Sequence, residues 1–183
     1  MSGNRDVIYW DSCVFYAFLK AEEHRKGELN SIKQAQREFD IGKIVLVTST
    51  ITLAEVLPSK LTDEQKQLFE SISRRSNFSW VDVSLPVANL AVNLRSNYTE
   101  SREDKEFRLS TPDAIHIASA IAHKSTRLVT FDEKNKRKER ELGILRIAKN
   151  IEEDYSLIVS RPEISVQKEF YLDATNVKSA CNL

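Results

Sequence analysis

Residues 6–20 read DVIYWDSCVFYAFLK, and the fold follows from this stretch. The run VIYW (7–10) is apolar, aromatic and β-branched, which makes it a buried strand. Asp11 ends it abruptly. Ser12 then stands where a helix N-cap belongs, ahead of the apolar helix CVFYAFLK.

The alternation continues outward. Residues 22–39 carry Leu29, Ile32, Ala35 and Phe39 at helical spacing, a surface amphipathic helix. Ile44 to Val47 is a second strand, and Thr50 caps the helix ITLAEVL (51–57). Thr62 or Asp63 opens a further helix to about Ile72, and Phe78 to Val83 alternates as a strand. Ser84 and Pro86 begin the next helix, and 100–108 is a charged loop or frayed helix end. Thr111-Pro112-Asp113 supplies a cap, a Pro at the first helical position and an acid facing the helix dipole. Arg127 to Phe131 is a strand closed by Asp132; either 144–147 or 157–159 supplies the last strand before Arg161-Pro162 break regular structure. Strands alternating with helices predict an α/β domain with an open parallel sheet covered on both faces, its ligands beyond the carboxyl ends of the strands. No repeat or linker divides the chain; the domain is expected over 1–160, with 161–183 a tail of no clear periodicity.

Composition narrows the function. The 183 residues are 41 % hydrophobic and 30 % charged, the balance of one globular domain and not of a disordered chain. Lys+Arg and Asp+Glu are 27 each, which excludes a generally basic nucleic-acid coat but leaves room for a local patch. The 4 glycines are too scattered for a dinucleotide fingerprint, a P-loop or a GxSxG elbow. Cys13 and Cys181, with His24, His116 and His123, show no zinc spacing. Two unpaired thiols and the absence of a signal-like or membrane-spanning stretch predict a cytoplasmic protein without a membrane partner.

Acids stand where such a sheet places ligands. Asp11 follows the first strand and Asp132 a later one; Asp113 lies in the first turn of a helix, and Glu55 in the helix after the second strand. Singly, an acid at a strand end is often a cap or turn residue. Glu55 is harder to dismiss, because a carboxylate inside ITLAEVL is expected to be partly buried and to need a partner. Four carboxylates facing one crevice repel each other, and a divalent cation removes the conflict. Oxygen donors without His or Cys select Mg²⁺ or Mn²⁺, and that chemistry suits metal-assisted attack of water on a phosphodiester.

These stretches carry a resemblance. VIYWDSCVFYAFL resembles the opening of a PIN-domain nuclease, and TSTITLAEVL (48–57) its second motif, with Glu55 as the acid. STPDAIHIASAIAHK (110–124) is similar to the third motif of VapC-like PIN toxins, and RLVTFDEK (127–134) to the fourth. The resemblance covers roughly 6–132 and implies a three-layer α/β/α PIN-like fold with a central parallel sheet of order 3-2-1-4-5. It implies a metal-dependent ribonuclease, with Asp11, Glu55, Asp113 and Asp132 as catalytic residues and ligands of Mg²⁺ or Mn²⁺. Its products are expected to end in 5′-phosphate and 3′-hydroxyl groups. The implied setting is the toxin of a toxin–antitoxin pair, acting on RNA, held by a small antitoxin protein and with a homodimer as a further option. A non-cleaving PIN-like module that binds RNA or protein is the alternative. A haloacid-dehalogenase-type phosphatase also places Asp after the first strand but needs a second Asp where this chain has Cys13. Cys13 also replaces the Asn common in PIN domains, a change expected to matter little because the position is not one of the acids.

Supporting residues follow. Ser12 is either a plain cap or a hydroxyl that bonds a carboxylate or a metal water; Thr130 either orients Asp132 or is a β-branched strand residue. His116 shares a helix face with Asp113 and is expected to be a satisfied, half-buried histidine, not a general base. Trp10 and Trp80 are expected in the core. The mixed-charge run 133–141 is expected to be mostly a solvated face, but Lys134, Lys136, Arg137 and Lys138, with Arg140, offer a basic edge for an RNA strand.

Overall fold

A computed structural model describes residues 5–58, 60–102, 105–133 and 140–163. In chain order the elements are β1 (Asp6–Trp10), α1 (Ser12–Lys20), α2 (Glu28–Asp40), β2 (Ile44–Ser49), α3 (Ile51–Val56), α4 (Asp63–Ser73), β3 (Phe78–Val81), α5 (Leu85–Asn97), β4 (Thr99–Arg102), β5 (Lys105–Arg108), α6 (Thr111–Ala122), β6 (Arg127–Val129), a 3₁₀ turn (Ile144–Ile147), α7 (Ala148–Tyr155) and β7 (Ile158–Ser160).

Five strands form a parallel sheet in the order β3-β2-β1-β6-β7. Counting only the strands of this sheet, that is the expected 3-2-1-4-5; the separate β4–β5 pair shifts the numbering. β1 is central, with Tyr9 opposite Val47 on one side and Trp10 opposite Val129 on the other. Successive residues point to opposite faces. Tyr9, Val47 and Leu128 join α5, α6 and α7 in one apolar cluster, whereas Trp10, Leu46 and Val129 join α1, α2 and α4 in the other. That burial on both faces explains why VIYW carries no charged residue. Because every strand runs the same way, all the carboxyl ends share one edge of the sheet.

Several boundaries differ from the sequence reading. Asp11 itself takes the extended N-cap conformation, so Ser12 is the first helical residue and its hydroxyl is free for other work. Likewise Ser110, one residue earlier than predicted, caps α6. Thr50 sits at the N-cap of α3 but makes no side-chain capping bond. The helix predicted over 22–39 starts only at Glu28, after Gly27 turns the chain at φ 92°. Thr99–Arg102 and Lys105–Arg108 are neither loop nor helix end but the antiparallel pair β4–β5, with Glu100 opposite Phe107. Among the described residues of that ribbon Phe107 alone is buried in the core; Thr99, Ser101, Lys105, Glu106 and Arg108 are exposed, and the sequence lacks the Gly-containing turn that advertises a hairpin. Of the two candidates for the last strand, 157–159 overlaps β7, which pairs with β6 one residue further on at 158–160, and 144–147 becomes the 3₁₀ turn. Trp10 is fully buried and Trp80 packs partly buried on the same cluster.

Candidate active site

Asp11 lies at the centre of the carboxyl edge. Its N–H donates to the Val129 carbonyl at 3.1 Å, so the β1–β6 ladder runs on into the acid and fixes its backbone. The residue is 5 % exposed, and a carboxylate so deep requires partners. Thr130 Oγ1 donates to its Oδ2 at 2.6 Å and Cys13 Sγ donates to the same oxygen at 3.2 Å. Its other oxygen lies 3.3 Å from His116 Nε2.

His116 ties this acid to Glu55. Nε2 stands 2.8 Å from Glu55 Oε2 and 3.1 Å from Ser12 Oγ, and Ser12 also donates to Glu55 Oε2. On the far side, Nδ1 shares a 2.7 Å hydrogen bond with the Tyr9 hydroxyl, which accepts the Ser49 N–H at 2.9 Å. A polar chain thus runs from β2 through β1 and α6 to α1 and α3. Burial opposes a charged imidazole here. The Asp11 and Glu55 carboxylates and the charge of Asp113 outweigh it and hold His116 above its ordinary pKa.

The other two acids are held differently. Asp113 Oδ2 accepts the Ser110 hydroxyl at 2.5 Å, and its N–H donates back to Ser110 Oγ at 3.2 Å. Burial pushes its carboxyl up to about 6; Ser110 and His116 pull down, while the charges of Asp132 and Asp11 add to the rise. Asp132 Oδ2 accepts the Ile144 N–H at 2.9 Å, and its own N–H donates to Thr130 Oγ1 at 3.1 Å. Asp113 feels Asp132, Asp11 and His116, and His116 feels Glu55, so the four acids share one electrostatic neighbourhood.

The model of the PIN domain family matches residues 8–141, a span that contains all four acids. The chain belongs to the PIN domain family. No curated protein matches it by sequence. Among solved structures it is similar to VapBC2 from Rickettsia felis bound to a DNA fragment from their promoter, at 17 % identity and TM-score 0.56, over 86 % of this chain and 99 % of that one. A toxin–antitoxin complex from Klebsiella pneumoniae matches at 21 % identity and TM-score 0.49, over 74 % of this chain and 95 % of that one. The sarcin–ricin loop cleaving toxin VapC20 from Mycobacterium tuberculosis matches at 17 % identity and TM-score 0.47, over 66 % and 86 % of the two chains.

Within this PIN site, three residues do more than the sequence reading gave them. Cys13 is a direct partner of Asp11 and also accepts the Phe131 N–H at 3.3 Å; burial, reinforced by Asp11, pushes its thiol pKa up, so it acts as a neutral donor. His116 is fully buried among the acids, not half-buried beside them. Thr130 bonds the carboxylate of Asp11 and only the backbone of Asp132. A His three residues after a helix-start acid was the available signal for His116. Nothing in the sequence pointed from Cys13 to Asp11.

Glu55 is partly buried and partnered as expected: its side chain is 31 % exposed and bonded to Ser12 and His116, while α3 turns Thr52 and Val56 inward and leaves Leu53 at the surface. Lys134, Lys136, Arg137 and Lys138 lie outside the described residues.

The donor set fits a hard divalent cation in chemistry: four carboxylates supply oxygen, and the charges of Asp132 and Asp11 add to the burial that raises the Asp113 carboxyl. Among the described residues no three of His, Cys, Asp and Glu stand grouped as a ready-made cage. No helix of the described residues is long and apolar enough to cross a membrane.

Proposed function

We propose that the chain is a metal-dependent ribonuclease, the toxin of a toxin–antitoxin pair, with residues 1–160 as the nuclease unit and 161–183 as its tail. The observation that carries this reading is the shared electrostatic neighbourhood of Asp11, Glu55, Asp113 and Asp132 at the carboxyl edge of a parallel sheet. Asp11, Glu55, Asp113 and Asp132 would hold Mg²⁺ or Mn²⁺, whose charge neutralises the phosphate and lowers the pKa of a water. Thr130 and Cys13 orient Asp11, and Ser12 and His116 orient Glu55. The buried walls exclude bulk water from Asp11, where electrostatic interactions are stronger than in solvent. Hydrolysis then leaves a 5′-phosphate and a 3′-hydroxyl. The VapC-like third motif and the likeness to VapBC2 support an antitoxin as partner; a homodimer is the further assembly.

The test is cleavage of a labelled single-stranded RNA by the purified chain. Activity is expected with Mg²⁺ or Mn²⁺, none with EDTA, and a loss of at least about a thousandfold for Asp11→Asn, the size of effect expected from removing a principal catalytic group. Undiminished cleavage in chelator, or full activity of Asp11→Asn, overturns the mechanism. A second reading draws on His116 already bridging Asp11 and Glu55 without a cation: a PIN module that binds RNA or protein but does not cut. A wild-type chain inert with both metals would favour it.

A further inference from the structure

A four-carboxylate crevice repels the strand it is to cut, so cations must stand nearby. The described structure holds such a cleft beside the acids. Its walls are β5, the segment 140–142 and the first turn of α6, and Arg95, Arg108 and Arg140 line it. The wall is built by backbone: Arg108 N–H donates to the Arg140 carbonyl at 3.1 Å, and Leu142 N–H donates to the Arg108 carbonyl at 2.8 Å. Arg95, in the last turn of α5, is tethered from Nε to the Leu109 carbonyl at 3.0 Å, and this is its one polar contact among the described residues. Among them the exposed Arg140 guanidinium has no hydrogen bond or ion pair. Arg108 pairs with Glu106 at 2.9 Å, but both side chains are about half exposed and such a pair is weak. Glu106 and Glu141 also line the cleft, so three guanidiniums face two carboxylates.

The cleft is joined to the acids on two sides. Ser110 lines it, and the same hydroxyl holds Asp113. Glu141 lines it three residues before Ile144, whose N–H holds Asp132. We propose that this cleft is a phosphate subsite, where Arg95, Arg108 and Arg140 take backbone phosphates of an RNA strand next to the one at the acids. The proposal rests on the ribonuclease reading for its ligand. Guanidinium groups suit it because their planar fork bonds phosphate bidentately and never loses its charge.

The experiment uses the full chain carrying Asp11→Asn and a fluorescein-labelled ten-nucleotide single-stranded RNA, with anisotropy read across a KCl series. Arg140→Gln is the clean variant, since it breaks no contact among the described residues; Arg95→Gln is added to it, and Arg95→Lys is the charge-preserving control. The double variant is expected to bind about tenfold more weakly near 0.1 M salt, and its log–log salt slope to fall by about 1.4, for ~0.7 per single-strand phosphate contact. Arg95→Lys should keep the slope, and Arg74→Gln, at the C-cap of α4, should change nothing. A double variant that melts like its parent yet keeps affinity and slope overturns the subsite, as does an Asp11→Asn chain that binds no RNA at low salt. The wild-type cleavage assay is separate: an inert wild type whose dead variant still shows the Arg-dependent slope overturns the nuclease reading and leaves the subsite standing. Slopes that respond only to an acidic protein partner, and not to RNA, would assign the cleft to protein and overturn the proposal.

Discussion

The two halves of the site are anchored in different ways. Asp11 and Glu55 hang on a side-chain network that reaches through His116 and Tyr9 to the backbone of β2. Asp113 and Asp132 are held at helix and turn starts, one by the Ser110 hydroxyl and one by the Ile144 N–H. The first half is set by tertiary packing and should fail as a unit. The second is set by local capping and should fail residue by residue. Buried polar networks are worth more than their separate bonds, whereas a single cap contributes about 1 kcal/mol.

The sharpest break of that contrast is His116→Ala. It opens a cavity at a fully buried position and strips partners from Tyr9, Asp11, Ser12 and Glu55 together. The loss of stability should be roughly 2–4 kcal/mol, as for a broken buried network. Urea unfolding in EDTA measures it; a loss below about 1 kcal/mol would mean the two halves are anchored alike.

Second comes Asp113→Asn, a gain where the first change is a loss. The Asp113 carboxyl is raised to about 6, so the folded chain holds its proton to higher pH than the unfolded chain does. Its contribution is therefore fully present below pH ~4 and lost as pH rises through about 6. At pH 8 without metal the ionised Asp113 costs roughly 2–3 kcal/mol, which Asn removes while keeping an acceptor for Ser110. The melting temperature of the variant should exceed that of the wild type at pH 8 in EDTA, and the two should converge at pH 4. Added Mn²⁺ should raise only the wild type. A variant less stable at pH 8 would make Asp113 a structural cap.

How much of this was legible depended on whether a residue acts through its neighbours in sequence or in space. The strand–acid–helix pattern at 6–20 and the acids at 113 and 132 can be read because each is placed by its own element. The parallel order follows from such units and from the family resemblance. Cys13 bonding Asp11, and Thr130 bonding Asp11 before Asp132, depend on how β1 and β6 register, with Trp10 opposite Val129, and no local pattern encodes that. The β4–β5 ribbon stayed hidden because its one buried anchor, Phe107, sits among charges that read equally well as loop. His116 was visible as a face-sharing neighbour of Asp113, but its depth comes from the packing of α6 on β2, which periodicity does not give.

Thr130 bridges the two halves, so its removal sharpens their boundary. Thr130→Val keeps the volume and deletes one hydroxyl that donates to Asp11 and accepts from Asp132 N–H. About 1–2 kcal/mol of stability should be lost, because Asp11 is buried and that partner is gone. RNA cleavage should fall with little change in RNA affinity. A change in affinity without one in rate would place Thr130 with the substrate rather than behind the acid.

Ser110→Ala should have the smallest effect and the most local one. Ser110 Oγ accepts the Asp113 N–H at the start of α6, and a lost N-cap costs about 1 kcal/mol. The same hydroxyl donates to the Asp113 carboxylate, a bond that favours the charged form. Without it only His116 offsets the burial, and the Asp113 titration should move above its wild-type position near 6. Carboxyl NMR of the metal-free protein reads that shift directly. The network around His116 shares no bond with Ser110, so at a pH where Asp113 carries the same charge in both proteins the Tyr9 and His116 resonances should stay in place. Displaced His116 signals would show that the cap and the network are one structure, and the division between the two halves of the site would have to be given up.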